Sequence, residues 1–364
     1  MEFLHLQVLR LRMTKTVCAF GYFDLEGQRS WVIRKGLEES GCTVSLCRTD
    51  ARGFWPKVCD LRRKWKSLDG ATDALYVVFP GHYLMPLAWW LARRKSIPVI
   101  LDVFISLYET EVEDRARISG WHPKAWMLWL IDWMACALAN VILIDTEEHR
   151  DFFVRRYRIP REKFLVIPVG CRTDIFTPRA ALQEQGSFLV RFHGSFIPLH
   201  GIEVILGAAR ELKDDDVMFE LAGKGQTLRV MQEGAEGIAN VRFAGMKTLG
   251  EIPDFIAGAD ACLGIFGTGA KARRVVPTKA FEIIAMGKPL LTARTPASER
   301  IFRDRASALL TTPGDAHDLA EKIRELKTNS HLADLIAQNG RALFLAQFQP
   351  RTVVEPLMAW LRSR

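Results

Sequence analysis

Apolar and polar residues alternate in blocks along this chain, and the blocks predict strands and helices in turn. Short apolar runs bounded by glycine, proline and small polar residues are typical of buried strands in a parallel sheet. In the first half the predicted strands are Val17–Phe20, Thr43–Cys47, Leu75–Phe79, Val99–Val103, Val141–Ile144 and Phe164–Val169. The helices predicted between them are Gln28–Ser40, Met85–Arg94, Trp126–Ala139 and a helix from Thr146 towards Tyr157. This alternation is the pattern of an α/β protein.

A polar stretch, Thr177–Ser187, has no periodic apolar pattern, and we interpret it as a linker between domains. The alternation then restarts with predicted strands at Phe188–Phe192, Val217–Leu221, Val241–Phe243, Ala261–Phe266 and Leu290–Ala293. Further helices are predicted at Ile202–Leu212, Asp315–Lys327, His331–Gln347 and Val353–Leu361. We therefore expect Rossmann-like domains over residues 16–176 and 188–345, with a lead-in at 1–15 and a final helical segment at 346–364.

Length and composition fit this division and narrow the choice of partners. A chain of 364 residues, 49% of them apolar, suits two cores better than one. The net charge of +8 favours anionic partners, but the basic residues are scattered and no nucleic-acid-binding signature accompanies them. We therefore expect no nucleic acid as a partner.

The cysteines and the N-terminal residues indicate the cellular compartment of the chain. Its 7 cysteines form no CxxC pair, which points to reduced thiols in a cytosol. The first residues are a poor signal peptide, because Arg10 and Arg12 interrupt the apolar positions. The histidines make no metal-binding spacing, so we expect no metal.

The most informative segment is Arg273–Glu299, which predicts a polar loop, a short helix and a buried strand. Thr278 can cap this helix, and its N-terminus presents free N–H groups that suit a phosphate. Lys279 adds a positive charge within the first turn, and Glu282 follows about one turn later. A carboxylate repels phosphate, so Glu282 suits neutral hydroxyls such as those of a ribose. Phosphate donors beside a hydroxyl acceptor are what a nucleotide-sugar site needs.

This segment, with its core PTKAFEIIAMGKP, resembles the donor site of retaining glycosyltransferases of family four. Glu282 matches the glutamate that holds the nucleotide ribose in that family. Arg274 stands where the family often has a second glutamate near the transferred sugar. The resemblance implies the GT-B fold, an α/β architecture of two Rossmann-like domains whose parallel sheets face an interdomain cleft. It also implies an N-terminal acceptor domain, a C-terminal donor domain and a last helix that crosses back to the first.

Other strand-to-loop junctions add candidate donor contacts, because ligands of open α/β sheets bind beyond the carboxyl ends of the strands. Gly21 lies in a loop that resembles the family's first glycine-containing loop, although a plain turn explains it equally well. In His193–Gly201 the family usually has an arginine and a lysine on the diphosphate. Here Ser195 and His200 occupy roughly those places, and we expect His200 to donate to a phosphate, more strongly when protonated. The remaining predicted donor contacts are Gly194, Ser195, His200, Gly223, Lys224, Arg273, Arg274 and Lys279.

The acceptor side offers His82 and Asp102 as the titratable groups closest to strand ends of the first domain. In retaining enzymes of this kind the leaving diphosphate itself is thought to take the acceptor proton. A protein base is therefore not required, and cations that stabilise the departing phosphate matter more. The alternative is that both residues are structural, with His82 forming a hydrogen bond within the fold and Asp102 stabilising its loop.

Two features suggest other chemistry. Asp214–Asp216 contains a DxD motif but lies at the entry end of a strand, so we interpret it as a solvated turn. We interpret the tryptophan-rich helix Trp126–Ala139 as a buried helix rather than a membrane span. Aromatic and basic residues of the kind found at lipid interfaces leave a peripheral membrane contact open, at the inner face of the membrane. They are Trp89, Trp90, Arg93, Arg94 and Lys95.

The hypothesis is a cytoplasmic, metal-independent, retaining glycosyltransferase, suited to polysaccharide biosynthesis. It moves a sugar from a nucleotide-diphosphate donor to a saccharide or lipid-linked saccharide acceptor. We also expect no cofactor, with the nucleotide-diphosphate sugar as co-substrate. One alternative is a non-hydrolysing nucleotide-sugar epimerase, which would want paired carboxylates and a base around the sugar. Another is an inactive subunit that binds a nucleotide or a partner, with Arg274 marking the lost turnover.

Overall fold

The structure, a computed structural model, describes residues 15–68, 71–180 and 186–364. The chain divides into two compact units. Unit 1 is the chain up to Pro168 together with Pro350–Arg364, and unit 2 is Val169–Gln349. The predicted lead-in, apart from its last residue, and the middle of the predicted linker lie outside the described residues.

Unit 1 contains a sheet in which all described strands are parallel, in the order β2-β1-β3-β4-β5-β6. The strands are β1 (Thr16–Gly21), β2 (Thr43–Arg48), β3 (Ala74–Val77), β4 (Val99–Asp102), β5 (Val141–Ile144) and β6 (Phe164–Val166). The helices that follow them in turn are α1 (Gln28–Glu39), α2 (Phe54–Lys66), α3 (Met85–Arg94), α4 (Pro123–Leu138) and α5 (Glu147–Tyr157). A short π-helix, Glu109–Asp114, precedes α4.

The crossovers place the helices of unit 1 on two faces of its sheet. The steps from β2 to β3, β3 to β4 and β4 to β5 run in one direction across the sheet, so right-handed connections put α2, α3 and α4 on the same face. The step from β1 to β2 runs the other way and puts α1 on the opposite face. There the C-terminal segment packs so closely on α1 that a Cβ on Gly36 would lie 2.2 Å from the Pro350 carbonyl oxygen.

Unit 2 contains a second parallel sheet, in the order β9-β8-β7-β10-β11-β12 among the described residues. The strands are β7 (Phe188–His193), β8 (Val217–Ala222), β9 (Val241–Gly245), β10 (Ala261–Leu263), β11 (Leu290–Ala293) and β12 (Leu309–Thr311). The helices between them are α6 (Ile202–Glu211), α7 (Leu228–Gly234), α8 (Ile252–Ala257), α9 (Thr278–Ala285) and α10 (Pro296–Ile301). After β12 come α11 (Ala316–Thr328) and α12 (Ser330–Gln347) in unit 2, and α13 (Pro350–Val353) and α14 (Glu355–Arg362) in unit 1.

The predicted α/β fold is confirmed, although several elements were not predicted, and two of them, α2 and β12, show why. Helix α2 buries only Leu61 and Trp65, one turn apart, amid a strongly basic sequence, so its apolar periodicity is too sparse to read. Strand β12 is three residues long, which is below the length at which an apolar run distinguishes a strand from a loop.

The interpretation of Trp126–Ala139 as a buried helix is wrong. Its observed counterpart α4 turns small residues towards the sheet, with Ala125, Ala135 and Cys136 buried beside the Asp132 carboxylate. The large apolar side chains therefore point outward, and the side chain of Trp126 is 64% exposed. When a helix is apolar on every side, its sequence does not show which side is buried. The elements that pack against the helix decide this.

Candidate functional site

The connections reverse direction in unit 2 between β7 and β10, and this switch point is where open α/β sheets bind ligands. The loops that follow the two strands touch each other. The Phe266 N–H donates to the His200 carbonyl at 3.0 Å, and a Cβ on Gly201 would lie 2.5 Å from the Gly267 nitrogen. The carboxyl ends of β7 and β10 are therefore joined into one edge.

Two of the predicted donor residues, Gly194 after β7 and Gly223 after β8, meet at this edge. Both adopt positive φ, at +140° and +148°, a conformation that residues with a Cβ rarely adopt. A Cβ on Gly223 would lie 1.8 Å from the Gly194 carbonyl oxygen. Only glycine at position 223 allows the backbones to approach so closely.

Helix α9 follows β10 and points its first turn at the same region. It begins at Thr278, after Pro277 in an extended conformation, and no side chain caps it. The prediction that Thr278 caps the helix is therefore wrong, because Thr278 is already the first helical residue and Pro277 occupies the cap position. The Ala280 N–H already donates to the Pro277 carbonyl at 3.0 Å, which leaves, among the described residues, the N–H groups of Thr278 and Lys279 available to an anion.

Lys279 is a buried cation in this first turn. Its side chain is 5% exposed, and its Nζ lies 3.7 Å from the centroid of the Phe192 ring. Among the described residues, no acceptor forms a hydrogen bond with this Nζ. Burial lowers the pKa of Lys279 well below its usual value, and the nearby Glu282 carboxylate opposes the shift only in part. A buried amine without an acceptor is costly, and an anionic ligand would satisfy it.

The space in front of Lys279 depends on Gly194. A Cβ at this position would lie 2.8 Å from the Lys279 Nζ. The same Nζ can therefore meet a small anion only because the β7 loop carries no side chain here.

Glu282, one turn further along α9, is held by a histidine. The Glu282 Oε2 accepts a hydrogen bond from the Nε2 of His193 at 2.7 Å, and both side chains are buried. His193 was not among the predicted site residues, although it is the last residue of β7 and immediately precedes Gly194. A titratable side chain at that junction was the signal that could have identified it.

His200 is placed differently from the expectation that it donates to a phosphate. Its Nδ1 donates to the Ser195 carbonyl, and its ring packs 5.6 Å from the Phe192 ring, centroid to centroid. Burial, and then the charge of Lys279, lower the pKa of His200 well below its usual value. The neutral ring keeps its hydrogen on Nδ1, so Nε2 has a lone pair rather than a proton to offer. His200 in this state fixes the loop.

The remaining predicted donor contacts are less closely gathered. Ser195, Lys224 and Arg273 are exposed. Arg274 is half-buried, and its backbone N–H donates to the Lys271 carbonyl at 2.9 Å. Gly21 lies in unit 1, at the carboxyl end of β1. The structure thus brings together Gly194, His200, Gly223, Lys279 and Glu282, with His193 added.

In unit 1, Asp102 forms a buried ion pair. Its Oδ1 accepts from the Arg29 Nε at 2.8 Å and its Oδ2 from the Tyr76 hydroxyl at 3.3 Å. Burial raises the pKa of Asp102, and the Arg29 guanidinium offsets this only in part. Arg29 also donates to the Ile167 carbonyl, so the pair ties α1 to the end of β6.

His82 lies in a buried polar cluster behind the end of β3. Its Nε2 is 3.8 Å from an oxygen of Asp132, whose carboxylate accepts from Ser106 and Tyr157. Burial lowers the pKa of His82, so the ring is neutral at pH 7. Neither His82 nor Asp102 is exposed to solvent in this structure, and their catalytic assignment stays a prediction.

Over residues 15–68, 71–180 and 186–364, no group of three or more histidine, cysteine or carboxylate side chains could hold a metal ion. Within the same ranges, no helix combines the length and the apolar character needed to cross a membrane.

Comparison with known proteins places this geometry in context. Residues 203–359, most of unit 2 and the C-terminal helices, match a family model described as "Glycosyl transferase-like". A probable glycosyltransferase, WbjE of Pseudomonas aeruginosa, is 27% identical over 46% of this chain and 44% of its own length. The D-inositol 3-phosphate glycosyltransferase of Streptomyces avermitilis is 24% identical over 75% of this chain and 62% of its own. The chain thus spans about half the length of these curated relatives.

Solved structures show the fold over nearly the whole chain. HepE of Anabaena, solved with UDP and glucose, superposes with a TM-score of 0.72 at 15% identity, over 96% of this chain and 100% of that one. These likenesses identify the fold as GT-B. The GT-B sucrose-phosphate synthase of Thermosynechococcus elongatus gives a TM-score of 0.70 at 13% identity, over 96% of this chain and 98% of that one.

Proposed function

We propose that this GT-B protein is a retaining glycosyltransferase that moves a sugar from a nucleotide-diphosphate donor to a saccharide or lipid-linked saccharide. The observation that carries the proposal is the buried Lys279 Nζ, which among the described residues has no acceptor and faces Gly194 at the switch point. A diphosphate supplies the missing acceptor and the negative charge that the first turn of α9 favours.

The pair next to this lysine supports a ribose contact for the nucleotide. Glu282 holds two ribose hydroxyls in the proposal, and His193 fixes the carboxylate that does so. Uridine diphosphate is the donor nucleotide to test first, because HepE, with the same fold, was solved with UDP and with UDP-glucose.

The chemistry asked of the chain is mostly electrostatic. As the bond between the sugar and the diphosphate breaks, charge builds on the leaving phosphate, and Lys279 with the α9 amides stabilises it. The acceptor hydroxyl gives its proton to that leaving group on the same face of the sugar, which retains the anomeric configuration. His82 and Asp102 then serve as positioning residues, in keeping with their burial.

Donor binding tests the assignment of Glu282. We expect Glu282→Gln to weaken UDP binding about tenfold or more, because a hydrogen bond to a charged group is lost. The analogue 2′,3′-dideoxyuridine diphosphate lacks the ribose hydroxyls. It should bind wild type more weakly than UDP by a similar factor, and it should bind the variant almost as tightly as UDP does. Calorimetry measures all four affinities. Two losses that simply multiply would show that Glu282 does not touch the ribose.

Turnover distinguishes the transferase from its alternatives. NMR of reactions with a panel of nucleotide sugars and saccharide acceptors should show a product with the donor's anomeric configuration. Isomerised donor without any acceptor would instead indicate an epimerase. Binding of a nucleotide with neither transfer nor hydrolysis would indicate an inactive subunit, in which Arg274 marks the loss.

A further inference from the structure

An apolar surface with a basic border covers the outer side of α2, α3 and α4 in unit 1. On α4 the large side chains Trp126, Met127, Leu130 and Trp133 are all exposed. Met127, Leu130, Met134 and Leu138 follow one another at helical spacing and share a face of α4. Solvent contact of this extent marks a surface built to meet something apolar.

A groove continues this face. It has a volume of about 630 Å³ and is lined by Phe54, Trp55 and Val58 of α2, Trp89 and Trp90 of α3 and Met134 of α4, among others. Trp55 at its rim is 71% exposed. The three helices lie on one side of the sheet, so the groove and the exposed side chains of α4 form one continuous surface, which we name the aromatic face.

Cations border the aromatic face. Helix α2 carries Lys57, Arg62, Arg63, Lys64 and Lys66 against a single carboxylate, Asp60, and α3 ends in Arg93 and Arg94 with no carboxylate. A second pocket of about 480 Å³ is lined by Cys59, Arg62, Arg63, Lys66 and Ser67. Arg62 lines both this basic pocket and the groove.

Two of these cations stack on a tryptophan of the aromatic face. The guanidinium of Arg94 lies 3.9 Å from the centroid of the Trp90 ring, and that of Arg62 lies 5.1 Å from it. Asp60 pairs with Arg63 and Lys64. Among the described residues, Arg62 and Lys66 form no ion pair with a carboxylate, so their charge is available to an external anion.

We propose that the aromatic face docks unit 1 on a bilayer that contains anionic phospholipid. Tryptophan, methionine and leucine side chains enter the interface, and the basic pocket takes a headgroup phosphate beside the groove that takes an acyl chain. Aromatic residues bordered by arginine and lysine are the composition of interfacial binding. Helix α4, with 16 residues, is too short to span the hydrocarbon core, so it lies along the surface.

The charge of the border favours a lipid surface over a second copy of this chain. A twofold contact through this face would join two copies of the same cation-rich surface, and on α2 and α3 only Asp60 offers a compensating charge. An anionic bilayer meets the same cations with opposite charge. Docking does not depend on the donor site in unit 2, so it is tested without nucleotide or acceptor.

Flotation of the full chain with lipid vesicles tests the proposal. We expect weak binding to phosphatidylcholine vesicles and strong binding when about one third of the lipid is phosphatidylglycerol, with a dependence on salt. The double variant Arg62→Gln/Lys66→Gln should bind these anionic vesicles roughly 30-fold more weakly. The double variant Trp126→Ser/Trp133→Ser should lose about tenfold or more.

Matched controls come from unit 2, with circular dichroism confirming that each variant folds. Lys213→Gln/Arg229→Gln removes the same charge at exposed positions, and Val230→Ser/Met246→Ser removes exposed apolar groups. Neither control should change vesicle binding. The proposal is overturned if wild type binds neither kind of vesicle, or if the control variants weaken binding as much as the test variants. It is also overturned if light scattering shows that the aromatic face joins two copies of the chain instead.

Discussion

Lys279 is the side chain of the candidate site that is costly to bury in the free protein and that is proposed to bind the diphosphate. In the free protein its amine is buried against Phe192 with a lowered pKa. The unfolded chain, where the pKa is near 10.5, binds a proton that the folded chain gives up between the two values. The free energy of unfolding therefore gains from this residue as pH rises through that window. In the proposed complex the negative charge of the diphosphate favours the protonated side chain and so restores the ammonium.

Nucleotide binding should therefore take up a proton. At about pH 8, where the terminal phosphate of UDP is already ionised, its pKa being near 6, the proton goes to Lys279. Calorimetry in buffers with different ionisation enthalpies measures this uptake. We expect up to one proton per UDP for wild type and none for Lys279→Met. An equal uptake by both proteins would assign the proton to another group.

The partner of Glu282 shows what the sequence could and could not supply at this scale. Glu282 and Lys279 are recognisable from their spacing at a predicted helix start. The hydrogen bond from His193 joins residues 89 positions apart, on β7 and α9, and no local pattern reports it. His200 was predicted to donate to a phosphate, but the use of its Nδ1 depends on the path of the loop back to Ser195.

At the scale of elements, the site is made by loops that contact one another at the ends of β7, β8 and β10. Predicting the strands from apolar runs was enough to place these loops at one edge, because parallel strands share their carboxyl ends. The closeness of the loops was not readable. It depends on Gly194 and Gly223, whose backbones approach within a distance that excludes a Cβ.

Gly223→Ala tests this contact. The new Cβ would overlap the Gly194 carbonyl, so the loops must separate, and we expect both lower stability and weaker UDP binding. Gly237→Ala is the control, since φ there is also positive, at +79°, but no atom lies within 4 Å of the added Cβ. It should cost only the conformational term, about 1–2 kcal/mol. Urea unfolding and calorimetry compare the two, and equal losses of stability would contradict a steric contact.

At the scale of the whole molecule, the sequence predicted both sheets and the aromatic and basic residues of α3, but not the exposed side of α4. Alternation of apolar runs defines parallel strands whatever surrounds them. It does not say which side of an apolar helix is covered, and α4 exposes the large residues while it buries the small ones. The two units thus carry separate features, a candidate nucleotide site in one and an aromatic face in the other.

The central claim is that the buried Lys279 in unit 2 binds a diphosphate, and the Lys279→Met variant tests this claim most directly. Methionine fills the same space without an amine, so we expect the free protein to become more stable, by about 1–3 kcal/mol, while UDP affinity falls at least about tenfold. Lys288→Met is the matched control, because the Lys288 Nζ already donates to the Ala259 carbonyl. It should lose stability and keep its UDP affinity.

Thermal unfolding and UDP calorimetry on the three proteins give the answer together. A more stable Lys279→Met protein that binds UDP at least about tenfold more weakly is the predicted result. A variant that binds UDP as tightly as wild type would contradict the account.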